Sequence, residues 1–464
     1  MKKWLNKIHL GHCLELLRQL PNDCIDAVIT SPPYYAQRFY GGNLTIWSDV
    51  PDCDHQWTSS KKIFCHYSGE TNPGKEQYFK QDIDKNELDK NEIFICKKCN
   101  GYKGELGLEP TPELYIANLA LVFKEIYRIL KPTGSVFCVI DDSYIGSAQG
   151  YRVRKSSKSG FQKAPCEVGY YASSAGKPAT LNKHLVLKRK SLCLVPQKFV
   201  VRMTELGFVI RNEIVWLKNN SLPESAKDRF THCYEYIYFM TKKSSYYFDQ
   251  QFEPLSESTF IRAQYDSCSA KTDKGVYGGM DIKNQKILYD KILKGEILER
   301  NQRDIFQVNT HPFHGEHYAV FPEKLIAMLV KAGTSEHGCC EKCGRPYKRK
   351  LERKDKRHWI ERQNYKQDGK YSFEYAKTKQ PNEAGRNDAS ASFKPPEYNF
   401  LGWHPTCKCN AGVVPAVILD PFMGAGTTAV VARKLNRNFI GFEVNKSYIK
   451  MSERRLYNEI GLFL

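Results

Sequence analysis

At 464 residues the chain is long enough to bury a large core and to carry additions to it. Its net charge of +19 points to a polyanionic partner, and no run of about 18 apolar residues is present to span a membrane. The N-terminus, Met1-Lys2-Lys3-Trp4, leads into polar residues and not a secretory apolar core, so a cytosolic location is expected; the 16 cysteines should then be reduced, with clustered ones holding metal.

The first elements are a strand at residues 7–10 and a helix over 13–20. Residues 25–29 form a short apolar run of the kind buried in a parallel sheet. It delivers Thr30-Ser31-Pro32-Pro33-Tyr34-Tyr35. Each proline fixes φ and lacks an N–H, so this backbone is stiff, and its carbonyls point outward as acceptors. A base exocyclic amine has two N–H donors that such carbonyls could hold. The ring of Tyr34 offers a surface for stacking. A rigid turn at a strand end is the alternative. Gln37-Arg38-Phe39-Tyr40-Gly41-Gly42 continues as a flap, because glycine pairs favour turns.

Residues 45–105 read as a polar insertion with Cys53-x-His55 and Cys96-x-x-Cys99, the latter followed by the tight-turn pair Asn100-Gly101. Two thiolates on a knuckle plus a Cys/His pair make a tetrahedral zinc set; Cys65 and His66 compete for it, and four unrelated reduced side chains is the plain alternative. Thr111 caps a core helix with Pro112 in its first turn; Leu114, Ala117, Leu121, Ile126 and Leu130 lie near one face, and Lys131-Pro132-Thr133-Gly134 stops it. A buried strand at 135–140 ends at Asp141-Asp142, which either line a ligand crevice or form a solvated turn.

Residues 145–190 are rich in Ser, Gly, Lys and Arg with interspersed Tyr, a composition suited to tracking phosphates. A helix at 199–206 and strands at 208–217 and 232–242 follow. The polar stretch 244–310 joins 145–190 as a candidate for target recognition. Pro322 opens an amphipathic helix, leaving free N–H groups for a carboxylate. A second cysteine set follows: Cys340, Cys343, Cys407 and Cys409 make a four-thiolate zinc site with Cys339 spare, and the highly charged 348–396 between them is a long exposed loop.

The last segment runs Val417-Ile418-Leu419-Asp420-Pro421-Phe422-Met423-Gly424-Ala425-Gly426-Thr427-Thr428. A strand enters an acid, a proline and a Gly-x-Gly turn at a helix N-terminus, where backbone can approach a ligand closely. With Ala429 the turn formally fits a dinucleotide fingerprint. A second strand ends at Glu443, placed to accept from ribose hydroxyls, and a helix over 448–456 returns toward the strand at Lys7.

Together, D-P-F-x-G-x-G-T-T at Asp420–Thr428 and S-P-P-Y at Ser31–Tyr34 resemble the cofactor and catalytic loops of the amino-DNA methyltransferases. With the catalytic loop first and the cofactor loop last, the order resembles their circularly permuted beta group. The resemblance implies a Rossmann-like α/β fold, here with Cys-rich zinc-binding insertions, and S-adenosylmethionine as cofactor. It places the cofactor against Thr30, Asp420, Pro421, Phe422, Gly424, Gly426, Thr427, Thr428 and Glu443. It adds His317, Phe321 and Pro322, since His317-x-Ala319-x-Phe321-Pro322 is similar to the family's motif beside the methionine part. Catalysis falls to Ser31, Pro32, Pro33 and Tyr34, acting on a base flipped from duplex DNA. Serine in the first position accompanies cytosine N4 more often than adenine N6, so N4-cytosine is expected. Strands 208–217 and 232–242 resemble the family's final hairpin, with Trp216, Lys218 and Arg229 expected at the base pocket unless Trp216 merely packs the sheet.

Two departures stand out. Gly11-His12 replaces the Gly-Asp pair whose acid contacts adenine, and Cys233-Tyr234 loosens the hairpin signature. Pro165-Cys166 looks like the nucleophile of cytosine C5-methyltransferases but has no strand before it. The expected division is a catalytic-loop core part at 1–44, the first Cys-rich insertion at 45–105, core at 106–144, and recognition segments at 145–310 around the hairpin 199–242. A core helix at 311–336, the second Cys-rich module at 337–412 and the cofactor-binding core at 413–464 complete it. The resemblance also implies a prokaryotic or phage-encoded, cytoplasmic enzyme of a restriction-modification system, with a cognate restriction endonuclease. A nicotinamide oxidoreductase fits the glycine loop but leaves S-P-P-Y unexplained. A non-catalytic zinc DNA-binding protein fits the charge and cysteines but neither loop. Basic charge alone leaves RNA open as a substrate.

Overall fold

The apolar run after Cys24 forms strand β2 (Ile25–Thr30), buried along its whole length. The computed structural model describes residues 1–37, 44–50, 52–61, 92–145, 186–188, 190–221, 223–224, 226–264, 276–277, 280–281, 289, 292–293, 299–310, 321–353 and 398–461. The flap beyond Gln37, Cys65, His66, Pro165, Cys166, most of 145–190, His317 and 354–397 lie outside the described residues.

Contacts divide the chain into two units, one of Met1–Asp249, Asp304–Pro346 and Cys407–Leu464, the other of Gln250–Arg303 and Tyr347–Thr406. The first is built on an 8-stranded sheet. Beside β2 its strands are β1 (Lys7–Leu10), β3 (Leu130–Ile140), β4 (Val209–Leu217), β5 (Tyr234–Thr241), β6 (Ile305–Gln307), β7 (Val417–Asp420) and β8 (Asn438–Glu443). The spatial order is β1-β8-β7-β2-β3-β5-β4-β6. Pairing is parallel from β1 through β3, and β5 runs antiparallel to both β3 and β4. The carboxyl ends of β1, β2, β3, β7 and β8 therefore share one edge, where an open α/β sheet binds its ligand.

Among the described residues, six helices cover the two faces: α1 (Cys13–Arg18), α2 (Pro112–Ile129), α3 (Val195–Glu205), α4 (Glu323–Gly333), α5 (Thr427–Lys434) and α6 (Lys446–Ile460). The sheet's period of two assigns the faces. Val28, Val136 and Cys138 pack with Leu17, Tyr115, Phe123 and Phe199 on the α1–α3 side. Ala27, Ile29, Phe137 and Val139 pack with Leu325, Val430 and Leu456 on the α4–α6 side. Thr111 caps α2 as expected, its hydroxyl accepting from Leu114 N at 3.2 Å, a bond worth about 1 kcal/mol.

Several boundaries differ from expectation. Strand β3 starts at Leu130 and not at Ser135, because Ile25 of β2 already pairs with Leu130 before the register shifts. Helix α3 starts at Val195 and not at Phe199, since Asp142 Oδ1 and Oδ2 take the Val195 and Leu194 N–H groups at 3.1 and 3.0 Å. Asp142 thus acts as a helix cap, and its neighbour Asp141 pairs with His232 Nε2 at 2.9 Å; neither forms a merely solvated turn. The described part of 45–105 is a four-stranded antiparallel sheet in the order Thr45–Trp47, Tyr102–Gly104, Glu92–Cys96, Trp57–Lys61.

The second unit holds the helix Glu257–Gln264 and the hairpin strands Tyr347–Arg353 and Tyr398–Pro405. Glu253 accepts from Arg300 Nε at 2.7 Å and Arg303 Nε at 2.6 Å, and Arg349 lies 5.1 Å from the Trp403 ring centroid.

At the amino end of β2, buried Asp26 gathers three neighbours. Its oxygens accept from Lys131 Nζ at 2.7 Å, Val417 N at 2.8 Å and Cys339 Sγ at 3.3 Å. Lys131 also donates to the Gly344 carbonyl at 3.4 Å. Asp26→Ala strands a buried ammonium, a loss on the order of 3–5 kcal/mol, and should lower the thermal unfolding midpoint. Pairing Asp26→Leu with Lys131→Met should recover most of that loss. Equal losses in both variants would show that the ion pair does not hold these strands.

Candidate functional site

Two loops meet at the carboxyl edge of the sheet, brought there because β7 pairs in parallel with β2. Thr30, the last residue of β2, donates its hydroxyl to Asp420 Oδ1 at 2.7 Å. Thr428, in the first turn of α5, donates to Asp420 Oδ2 at 2.8 Å, and Phe422 N donates to Oδ1 at 3.1 Å. Burial pushes the Asp420 carboxyl up to about 6 against the pull of these three donors.

The turn from Asp420 to α5 needs its glycines. Gly424 and Gly426 sit at φ +52° and +78°, and a Cβ on Gly426 would stand 2.6 Å from Ser452 Cβ. Pro421 and Thr427 are buried, and Thr427 Oγ1 accepts from Arg455 at 2.7 Å. Glu443, at the end of β8, takes Gly424 N and Asn445 N on its two oxygens, both at 2.9 Å. Burial raises its carboxyl above the usual carboxylate range, opposed by those N–H groups. A carboxylate has about four lone-pair sites, so Glu443 keeps acceptor capacity for a ligand. Pro322 is the N-cap residue of α4, and Phe321 packs partly buried against the α4–α6 core.

On the other loop, Pro32 is buried and the Pro33 carbonyl is taken by the Tyr115 hydroxyl at 2.8 Å. Among the described residues nothing donates to the Ser31 or Pro32 carbonyl. Ser31 donates its hydroxyl to Tyr34 at 3.1 Å, and Tyr34 donates to Glu235 Oε2 at 2.6 Å. Lys218 Nζ bonds the other Glu235 oxygen. Burial, then the Glu235 charge, raises the Tyr34 phenol well above its ordinary value, so it keeps its proton and donates. The protons of this chain all run away from Ser31 Oγ, which leaves its lone pairs open.

Glu235, Tyr115 and Gly107 were not singled out from the sequence. Glu235 is an acid in a strand of aromatics, a signal that could have found it. Gly107 sits at φ +92°, and a Cβ there would stand 2.9 Å from the Tyr34 carbonyl, so it lets the segment before α2 support the S-P-P-Y loop. Of the three expected pocket residues, Lys218 reaches the site through Glu235. Trp216 instead packs the sheet, buried with its Nε1 on the Val308 carbonyl at 2.7 Å. Arg229 lies 4.1 Å from the Tyr144 ring centroid. His12 is buried against Trp47, ring centroids 4.4 Å apart, and burial pushes it down to about 4, so it is neutral.

Both cysteine sets converge. The ligand atoms of Cys53, His55, Cys96 and Cys99 lie within 4.8 Å of one another, as do those of Cys340, Cys343, Cys407 and Cys409. Cys339 lies outside that cluster, buried against Asp26.

The DNA methylase family model, covering N6 and N4 methylases, matches residues 25–340 and 346–454. The chain belongs to this family. It is a DNA methyltransferase whose methyl donor is S-adenosylmethionine, and the left-handed glycine turn, the buried acid and the acid at the end of β8 are the kind of cradle such a cofactor needs. Among curated relatives, type II methyltransferase M.Cfr9I of Citrobacter freundii is 23% identical over 449 residues, 97% of this chain and 87% of that protein. M.SmaI of Serratia marcescens is 23% identical over 452 residues, 97% of this chain and 90% of that one. Among solved structures, the cytosine-N4-specific PvuII DNA methyltransferase superposes with a TM-score of 0.41 at 13% identity, over 96% of this chain and 84% of that one. No helix among the described residues is long and apolar enough to cross a membrane.

Asp420 carries a pH signature with a definite sign. An unfolded aspartate titrates near 3.9, so the folded carboxyl binds its proton more tightly. It therefore adds stability at low pH, about 3 kcal/mol, that is lost as pH rises from about 4 to about 6. Asp420→Asn removes this titration. Thermal melts across that window should show the variant gaining on the wild type as pH rises, whereas a constant difference would mean Asp420 does not titrate there.

Proposed function

We propose that the enzyme methylates the exocyclic N4 amine of cytosine in duplex DNA. The supporting observation is the Thr30–Asp420–Thr428 bridge, which holds the S-P-P-Y loop against the D-P-F-x-G-x-G-T-T loop. Cytosine is favoured over adenine by Ser31 in the first position of the catalytic loop. The target base flips out of the duplex into the crevice beside that loop. The open carbonyls of Ser31 and Pro32, with Ser31 Oγ, accept from its amine and aim the nitrogen lone pair. Tyr34, its hydroxyl tethered by Glu235 and Lys218, presents its ring to the base. The glycine turn, Glu443 and the Phe321-Pro322 start of α4 would hold S-adenosylmethionine, whose sulfonium would supply an electrophilic methyl group and leave as a neutral thioether. The same oxygens would stabilise the positive charge developing on the amine nitrogen as it is methylated, and its surplus proton would pass to solvent. Most of the rate comes from positioning.

The order of the loops, with β7 and β8 from the C-terminus lying between β1 and β2, supports a circularly permuted version of the fold. The relatives are type II methyltransferases, which supports a restriction-modification role with a cognate endonuclease in a prokaryotic cytoplasm. Nucleoside mass spectrometry of DNA treated with enzyme and labelled S-adenosylmethionine should detect N4-methylcytosine. N6-methyladenine would keep the two loops and reverse the target. No methylated base in varied DNA would remove DNA as the substrate and turn attention to RNA.

Both cysteine sets would hold structural zinc. A tetrahedral ion with Zn–S near 2.3 Å sets its sulfurs roughly 3.8 Å apart. Cys53 and Cys96 sulfurs stand at 3.9 Å, and Cys99 Sγ is 3.4 Å from His55 Nδ1. Backbone N–H groups of Lys98 and Gly101 point at the Cys96 and Cys99 sulfurs, at 3.4 and 3.3 Å, as thiolate ligands require. Elemental analysis should find two zinc ions per chain, one lost in Cys409→Ser and the other in Cys99→Ser. A zinc-free, folded and active protein would reverse this assignment.

A further inference from the structure

The connection between β4 and β5 lies at the same sheet edge as the catalytic loop, because the amino end of β5 pairs with the carboxyl end of β3 through Tyr236 and Ile140. In this connection Phe230 is 98% exposed. A lone exposed apolar residue ordinarily needs no explanation. Here the residues on either side are tied down while the ring is left in water. Arg229, the preceding residue, lies 4.1 Å from the Tyr144 ring centroid and pairs with Glu224 at 2.6 Å. One residue earlier, Asp228 accepts from Lys190 at 2.5 Å. Two residues after Phe230, His232 pairs with Asp141 at 2.9 Å. Phe230 is thus presented on a stem tied by three ion pairs. It stands five residues from Glu235, which holds Tyr34, so at most about 18 Å of chain separates them.

We propose that Phe230 is a wedge that enters the duplex beside the target base and fills the gap left when that base flips out. This rests on the DNA-methyltransferase reading above. Phenylalanine is among the side chains that part base steps, and a flipped base leaves stacked neighbours that a flat apolar ring can cover. The bracing matters because a ring on a slack loop would lose that contact to its own conformational entropy.

The test uses the full chain and a duplex containing a site that the wild type methylates. Methyl transfer is followed in a single turnover with labelled S-adenosylmethionine. One duplex carries the target base paired, the other carries it opposite an abasic position, where little is left to unpair. Phe230→Ala should slow transfer on the paired duplex by about tenfold or more and approach the wild-type rate opposite the abasic position, since an unpaired base needs least help to leave the stack. Phe230→Trp should retain most of the wild-type rate on the paired duplex. Wild-type rates for Phe230→Ala on the paired duplex, or equal slowing on both duplexes, would overturn the wedge alone. Absence of methylation by the wild type on any DNA would overturn the underlying reading and the wedge with it.

Discussion

The Asp420 carboxylate is the constraint on which the site depends. Its two oxygens collect a hydroxyl from the end of β2 and a hydroxyl from the start of α5, side chains 390 and 8 residues away in sequence. Burying a carboxylate is costly unless its lone pairs are filled, and here three donors fill them. Because the same group satisfies both loops, neither can shift without stranding a buried charge. Such coupling suits a transfer reaction in which donor and acceptor must approach within a fraction of an ångström of the productive geometry.

Polarity on the other side of the crevice is set by a relay of hydrogen bonds. Lys218 faces Glu235, Glu235 accepts from Tyr34, and Tyr34 accepts from Ser31. A serine hydroxyl free to rotate could donate to a substrate as readily as accept from it. Committing its proton to Tyr34 leaves Ser31 as an acceptor, which is what an amine substrate requires. The direction of the relay originates in the Lys218 ammonium, on the residue that follows β4, which never needs to touch the base.

Both loops and both cysteine sets were legible in the sequence because their signals are local. A proline pair after an apolar run, glycines before a helix and a C-x-x-C knuckle each announce their geometry within a few residues. Tyr115 and Gly107 were not legible, since each acquires its place only when a loop far away is brought beside it; Glu235 carried a signal, an acid among strand aromatics, but its partner Tyr34 lies 201 residues away. Trp216 was ambiguous for the same reason. A tryptophan two residues before a lysine at a strand end reads equally well as a pocket wall or as core, and the Val308 carbonyl that decides it lies 92 residues on. Helix α3 begins early because its cap is the carboxylate of Asp142, 52 and 53 residues before the N–H groups it satisfies, outside any local capping pattern.

The two strands that carry the site are joined at both of their ends. At the carboxyl end Thr30 bonds Asp420; at the amino end Asp26 bonds Val417 N at 2.8 Å. Between those ties the ladder pairs Ala27 with Ile418 and Val28 with Leu419. Asp26 also reaches Cys339 beside the second cysteine knuckle, while Lys131 links it to the Gly344 carbonyl within that knuckle. The insertion between α4 and β7 is therefore not a passive appendage. Its first residues, Cys339 and Gly344, hold the amino end of β2, opposite the edge where the S-P-P-Y and glycine loops meet. An ion holding Cys340, Cys343, Cys407 and Cys409 would stiffen that grip at a distance from the chemistry. This gives a cysteine module in a methyl-transfer enzyme a role that requires no part in catalysis.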